Sequence, residues 1–130
     1  MTTMSAERTA LRSLSAVAGA RQAARTFLGA LCQPAIGREQ ADTVVLVVSE
    51  LVANALRHGG GAYTLRLAVH PGTIEVAVED PSPWMPRMRA PALVEGTGGF
   101  GWHMVNDLSL ATGVTSGPKG GKTVRALLPR

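Results

Sequence analysis

The chain has 130 residues, a size that fits one domain with one hydrophobic core and leaves no room for a second core, so a multidomain enzyme is excluded. Hydrophobic residues make up 45% and charged residues 17%, which excludes a disordered chain. The formal charge is +4, and the whole excess lies in the first 38 residues, which hold five arginines and one glutamate. Direct nucleic-acid binding is therefore a weak hypothesis, and an arginine-bearing helix facing an acidic protein or solvent explains the charge better.

Cysteine content and hydropathy bear on the compartment. The single cysteine, Cys32, excludes an intramolecular disulfide and a cysteine metal cluster. The longest uncharged run, residues 26–37, is too short to span a bilayer. The N-terminus lacks the basic start and following apolar stretch of a signal peptide, so none is expected. We therefore expect a cytoplasmic protein.

The first half of the chain predicts two helices. Residues 1–8 are expected to be a flexible tail, followed at best by a weak edge strand over residues 9–14. From Ser15, a plausible N-cap, apolar residues recur at helical spacing, which predicts an amphipathic helix that ends before Pro34. A second helix is predicted for residues 39–58, because apolar residues again follow helical spacing and three glycines end the pattern.

The next segment predicts a β-hairpin. Residues 62–69 and 73–80 alternate with period two on either side of a His-Pro-Gly turn. Residues 81–91 follow, and their prolines exclude regular structure.

The last segment predicts a short helix and a closing hairpin of residues 114–116 and 122–128. The spacing of Trp102, Val105, Leu108 and Thr112 predicts the helix. The order of elements favours an α+β fold, a two-layer sandwich with a mixed, mostly antiparallel sheet and helices on one face. Residues 9–130 are expected to form this single domain.

Three polar residues of the second predicted helix lie one turn apart, beside the apolar stripe rather than opposite it: Glu50, Asn54 and His58. Glu50 and Asn54 are about 6 Å apart along the axis, close enough to serve one metal–phosphate centre. The alternative is a polar flank in which Glu50 pairs with Arg57 and His58 bonds the carbonyls of the helix end. Taken alone, the spacing favours this alternative.

Asp80 falls at the end of the second predicted strand. Period two places its carboxylate on the same face as the apolar residues Val76 and Val78. A carboxylate buried there without a donor would cost several kcal/mol, so this interpretation requires a donor. The alternative is a strand that ends at Glu79 and leaves Asp80 in a turn before Pro81, and the pattern alone does not separate the two.

Glycine is concentrated near the end of the chain, where four glycines fall within residues 96–101, directly before the third predicted helix. Glycines in this position let backbone N–H groups converge on an anion. The spacing is that of neither a Walker loop nor a dinucleotide fingerprint, and the alternative is a flexible surface loop. Residues 121–123 (GKT) are not the end of a phosphate loop, because a strand rather than a helix is predicted to follow.

Four segments occur in an informative order: residues 50–59 (ELVANALRHG), 78–86 (VEDPSPWMP), 98–101 (GGFG) and 121–124 (GKTV). This arrangement resembles the histidine-kinase-like (GHKL) ATPase superfamily shared with gyrase, Hsp90 and MutL. Within it, the chain is most similar to the small bacterial anti-sigma-factor serine kinases of the RsbW and SpoIIAB type. The resemblance implies a Bergerat ATP-binding sandwich with a left-handed crossover, and ATP and Mg²⁺ as cofactors.

The resemblance also implies roles for the polar residues. Glu50 is the expected catalytic residue, which orients or deprotonates the attacking hydroxyl, and Asn54 is the expected Mg²⁺ ligand. Asp80 accepts a hydrogen bond from the adenine amino group. In the lid, glycines wrap the phosphates, and the hydroxyl of Thr123 supports the adenine end. The other nucleotide-binding residues that it implies are His58, Pro83, Gly96, Gly98, Gly99 and Gly101.

The chain departs from the family in the lid. The family commonly has Gly-Arg-Gly-Leu, whereas Phe100 and Trp102 stand in the corresponding stretch here. Loss of the arginine removes a phosphate contact, and the two aromatic residues either pack the lid or contact a partner. This departure therefore bears on catalytic turnover rather than on nucleotide binding.

The function implied by the resemblance is that of an ATP-binding anti-sigma factor in transcription regulation. It would phosphorylate a serine or threonine of a small STAS-type anti-sigma-factor antagonist and sequester a sigma factor. The alternative is a nucleotide-gated or catalytically inactive binding module that sequesters a partner without phosphorylating it. A homodimer is expected from the family, and neither nucleic acid nor a membrane is expected as a direct partner.

Overall fold

A computed structural model of the chain describes residues 5–11, 14–31, 35–58, 62–83 and 100–130. These residues form five strands and three helices. In chain order they are β1 (Ser5–Leu11), α1 (Leu14–Gly29), α2 (Arg38–His58), β2 (Ala62–His70), β3 (Thr73–Asp80), α3 (Phe100–Leu108), β4 (Ala111–Ser116) and β5 (Lys122–Pro129).

The strands form one sheet in the order β1-β2-β3-β5-β4, and each neighbouring pair is antiparallel. The α+β sandwich is confirmed, although the sheet was expected to be mixed and every described pair is antiparallel. β5 lies between β3 and β4, so the connection from β3 through α3 must cross to the far edge before the last hairpin brings β5 back beside β3. The ends of β3 and β5 therefore meet, although 42 residues separate Asp80 from Lys122.

The core lies between one face of the sheet and the helices. Burial alternates along β2, as expected for a strand with one covered face, and Leu65 and Leu67 are among its buried residues. The long helix α2 packs on β2, β3 and β5 and also contacts α1 and α3. Each fully buried Val or Leu side chain contributes about 1.5–3 kcal/mol. Packing of α2 against the sheet thus positions the polar residues on its flank.

Sequence periodicity located the central elements closely. The helix predicted for residues 39–58 begins one residue earlier, at Arg38, and ends at His58. β3 and the start of β5 are where they were predicted. Gly72 in the first hairpin turn has a φ of 75°, a conformation that favours glycine.

Three boundary predictions were wrong. β1 begins at Ser5, so residues 5–8 are not a flexible tail and the strand is not confined to residues 9–14; it is held by backbone pairing with β2, which side-chain alternation does not report. α1 begins at Leu14, which places Ser15 inside its first turn rather than at the N-cap. Thr112 lies in β4, because α3 ends at Leu108. Residues 1–4 and 84–91 lie outside the described residues.

None of the helices in the described parts of the chain combines the length and the hydropathy that a membrane span requires.

Candidate functional site

The carboxylate of Asp80 lies at the end of β3 on the face that the helices cover. Asp80 is only 5% exposed, and β3 continues through it. It pairs with Lys122, two residues beyond the pairing of Val78 with Val124. The prediction of a buried carboxylate is therefore confirmed, and the alternative of a strand that ends at Glu79 is wrong.

Two donors from the protein bond one oxygen of this carboxylate. The Lys122 ammonium donates to Oδ1 of Asp80 at 2.9 Å, and the backbone N–H of Ser82 donates to the same oxygen at 2.9 Å. Lys122 Nζ also donates to the Ser82 carbonyl oxygen at 3.3 Å. The side chains of Lys122 and Asp80 are 5% and 3% exposed. The donor that burial of Asp80 requires is thus the ammonium of Lys122, with which it forms a buried ion pair. The turn that follows β3 also bonds to this ammonium, through the Ser82 carbonyl oxygen.

Sequence reasoning missed Lys122. The available signal was period two along β5, which places Lys122 on the same face as the buried residues Val124 and Ala126. Thr123 pairs with Glu79 and therefore faces the other side of the sheet. The structure places Lys122, and not Thr123, opposite Asp80.

A cavity of about 560 Å³ lies at this end of the sheet, within the usual size range of small-molecule sites. The ends of β2, β3 and β5 and the turn between β4 and β5 line it. Asp80, Lys122 and Thr123 are among its lining residues, whereas neither Glu50 nor Asn54 is.

Glu50 lies against the beginning of α3. Its side chain is half-buried, and a Cβ added at Gly101 would overlap Glu50 Oε2. The absence of a side chain at Gly101 therefore lets the carboxylate reach the first turn of α3, where the helix dipole favours negative charge. Close backbone approach, the property expected of the clustered glycines, is found at this position.

Asn54 and its neighbours occupy the last turns of α2. Oδ1 of Asn54 accepts a hydrogen bond from Arg57 Nη2 at 3.0 Å. The hydrogen bond described for Arg57 thus goes to Asn54, and the alternative pairing of Arg57 with Glu50 is not what the structure shows. His58 is exposed at the end of α2, and Pro83 is exposed just beyond Asp80. The remaining predicted binding residues, Gly96, Gly98 and Gly99, lie outside the described residues.

Trp102 packs into the core. It is 9% exposed and belongs to the main hydrophobic cluster. Its carbonyl oxygen accepts a hydrogen bond from Asn106 Nδ2 at 2.8 Å. Of the two roles left open for this aromatic residue, the structure supports packing, and this packing holds α3 against the hydrophobic core.

Gly121 gives the first testable prediction. A Cβ at Gly121 would lie 2.5 Å from the Asp80 carbonyl oxygen and 3.2 Å from Pro81 Cα, so a side chain requires the backbone to move. We expect Gly121→Ala to lower the free energy of unfolding by about 1–3 kcal/mol, measured by denaturant titration. Gly113→Ala is the matched control, because a Cβ at Gly113 meets nothing within 4 Å. Equal stability of the two variants would contradict the close approach.

Comparison with known proteins identifies the family. The model of the histidine kinase-like ATPase domain family matches residues 12–127, nearly the whole chain. No curated protein sequence matches the chain closely.

Two solved structures have a similar fold. The structure of the RsbU and RsbW domains of Rv1364c from Mycobacterium tuberculosis has a TM-score of 0.70 and 18% identity, over 97% of this chain and 32% of that one. The structure of the SiaB–SiaC complex from Pseudomonas aeruginosa has a TM-score of 0.69 and 18% identity, over 95% and 88%. This chain thus spans about a third of the length of the first of these chains.

Identity at this level shows a shared fold alone, whereas the family match shows membership. The polar residues on α2, the buried carboxylate of Asp80 and the glycine beside Glu50 lie within the matched residues. The chain therefore belongs to the family of histidine kinase-like ATPase domains, a membership that implies ATP binding.

Proposed function

We propose that this chain is a cytoplasmic regulatory protein of the RsbW and SpoIIAB type. In this proposal it binds ATP, transfers a phosphoryl group to a serine or threonine of a small STAS-type antagonist protein, and sequesters a sigma factor in another partner state. The observation that carries the proposal is the buried carboxylate of Asp80 beside a cavity, in a chain whose α2 places Glu50 and Asn54 one turn apart.

The similar structures support a protein partner. One contains RsbU and RsbW domains, and the other is a complex of SiaB with SiaC. The described residues share one hydrophobic core, and in this proposal the phosphoacceptor is a serine or threonine of another protein. A regulatory role exerted on such a partner is consistent with both observations.

The residues present fit a magnesium nucleotide. The amide oxygen of Asn54 is a hard donor of the type that Mg²⁺ prefers, and Mg²⁺ bound largely by phosphates needs few protein ligands. When bound, the ion neutralises charge on the phosphates.

Glu50 is the proposed base. Its half-buried carboxylate, held against the first turn of α3, would accept the proton of the attacking hydroxyl as the new P–O bond forms and the bond to the leaving diphosphate breaks. Gly101 keeps the space beside this carboxylate free of a side chain. Asp80 would accept a hydrogen bond from the amino group of adenine, an interaction with a charged group worth about 1.5–3 kcal/mol.

Magnesium dependence tests the role of Asn54. We expect Asn54→Ala to lose most of the Mg²⁺-dependent part of the ATP affinity, by about tenfold or more, while partner binding persists. Arg57→Met is the matched variant on the same turn, because Arg57 donates to the oxygen that the ion requires. This variant should keep or increase the dependence on Mg²⁺. Calorimetric titration with and without Mg²⁺ measures both, and equal ATP affinity of Asn54→Ala and wild type in Mg²⁺ would disprove the assignment.

Phosphate transfer tests the role of Glu50. We expect Glu50→Gln to slow transfer from labelled ATP to an antagonist protein by about 100-fold or more, with ATP affinity retained, because a general base contributes at least that factor. Glu39→Gln, an exposed position at the start of the same helix, is the control and should transfer at the wild-type rate. A wild-type rate in Glu50→Gln would remove Glu50 from the chemistry.

The second candidate function is a binding module that sequesters its partner without phosphorylating it. Two observations favour it: the Asn54 oxygen is already bonded to Arg57, and Trp102 packs into the core where the family has a different lid sequence. ATP binding by the wild type without transfer to any antagonist would select this function over the first.

A further inference from the structure

The buried ion pair carries an inference that rests on the proposed nucleotide site and deepens it. We propose that Lys122 is a positioning residue for recognition of the base. It holds Oδ1 of Asp80, so that the other carboxylate oxygen, Oδ2, is the acceptor offered to an exocyclic amino group.

The geometry of the bonds supports this role. The two hydrogen bonds described for the Asp80 carboxylate, from Lys122 Nζ and from the Ser82 N–H, end on the same oxygen, Oδ1. Lys122 also donates to the Ser82 carbonyl oxygen. The ammonium is therefore fixed at both ends of the turn that follows β3, and it fixes the carboxylate in turn.

Burial makes this arrangement rigid. The side chains of both partners are at most 5% exposed, so rotation of the carboxylate would break buried, charge-assisted hydrogen bonds. An oxygen that already accepts from two donors has used its two lone pairs. Asp80 is thus restricted to one orientation, with one oxygen for a ligand.

A single acceptor oxygen restricts which nucleobases the site can recognise. Adenine presents one amino group beside a ring acceptor, which one carboxylate oxygen can bind. The edge of guanine that carries its amino group presents two adjacent donors, N1–H and the amino group, which together require both oxygens of a carboxylate. By this argument Lys122 favours a base with a single amino donor on the recognised edge and disfavours guanine.

The test compares ATP with purine riboside triphosphate, which lacks the 6-amino group. The wild type should bind ATP at least about tenfold more tightly than this analogue, the value of one hydrogen bond to a charged group. Lys122→Met should lose that preference, with the affinity for ATP falling to that for the analogue and the affinity for the analogue changing little. Arg125→Met is the control, because it removes a cation from the opposite face of the same strand and should keep the wild-type preference.

Lys122→Met leaves the Asp80 carboxylate without its counterion, so its folding is checked by circular dichroism. Lys122→Gln is measured in parallel, since it removes the ammonium and keeps an N–H donor of similar reach. We expect the preference of Lys122→Gln for ATP to lie between that of the wild type and that of Lys122→Met. If Lys122→Met does not fold, a preference of Lys122→Gln that is several-fold smaller than that of the wild type is the supporting result.

Four results would overturn the inference, and one of them also fails the proposed function. An unchanged preference in both variants would show that Lys122 does not position the acceptor. Equal weakening of ATP and the analogue would show a structural role only. Tighter ATP binding by Lys122→Met would show that the ammonium competes with the base. Failure of the wild type to bind either nucleotide would reject the proposed function itself, and this inference with it.

Discussion

The ion pair between Asp80 and Lys122 joins the ends of two neighbouring strands that are far apart in the sequence. Because both groups are buried, neither can be there without the other, and loss of one partner of such a pair typically costs about 3–5 kcal/mol. A well-packed apolar pair would stabilise the same place at least as well, so stability alone is a weak reason for the pair. Its position beside a cavity gives a functional reason. The close contact of Gly121 with the Asp80 backbone follows from the same joint between β3 and β5.

Much of the fold could be predicted because each central element has a clear apolar periodicity within its own residues. α2 has an uninterrupted apolar stripe, and two alternating strands flank a turn with Gly72. The alternation is strict in β2, and in β3 it is broken only by the buried Ala77. β1 could not be placed in this way, because it is defined by hydrogen bonds to β2 at the edge of the sheet rather than by its own side-chain pattern. β4 begins earlier than predicted, and Thr112, which continued the helical spacing of α3, belongs to it instead.

The candidate site was predictable to the extent that it depends on periodicity within one element. The spacing of Glu50 and Asn54 and the burial of Asp80 follow from the period of a helix and of a strand. The donor to Asp80 could not be predicted in the same way, because it depends on the register between β3 and β5. The contact between Glu50 and Gly101 likewise depends on how α3 packs against α2, which no local pattern encodes.

Two of the proposed ligand-binding groups already have hydrogen-bond partners within the protein. The carboxylate of Asp80, which the family resemblance assigns to adenine, already has the Lys122 ammonium as a partner. The amide oxygen of Asn54, which the resemblance assigns to the metal, already accepts a hydrogen bond from Arg57. Both groups keep further acceptor capacity, since a carboxylate has a second oxygen and an amide oxygen has a second lone pair. The proposed nucleotide site is therefore preformed by bonds within the protein, and the acceptors available to a ligand are those that these bonds leave unused.

The most direct test of this account is a crystal structure of the wild-type protein with Mg²⁺ and a non-hydrolysable ATP analogue. The account predicts the adenine amino group within hydrogen-bond distance of Asp80 Oδ2, with Lys122 Nζ still bonded to Oδ1. An analogue bound with its base away from Asp80 would contradict it.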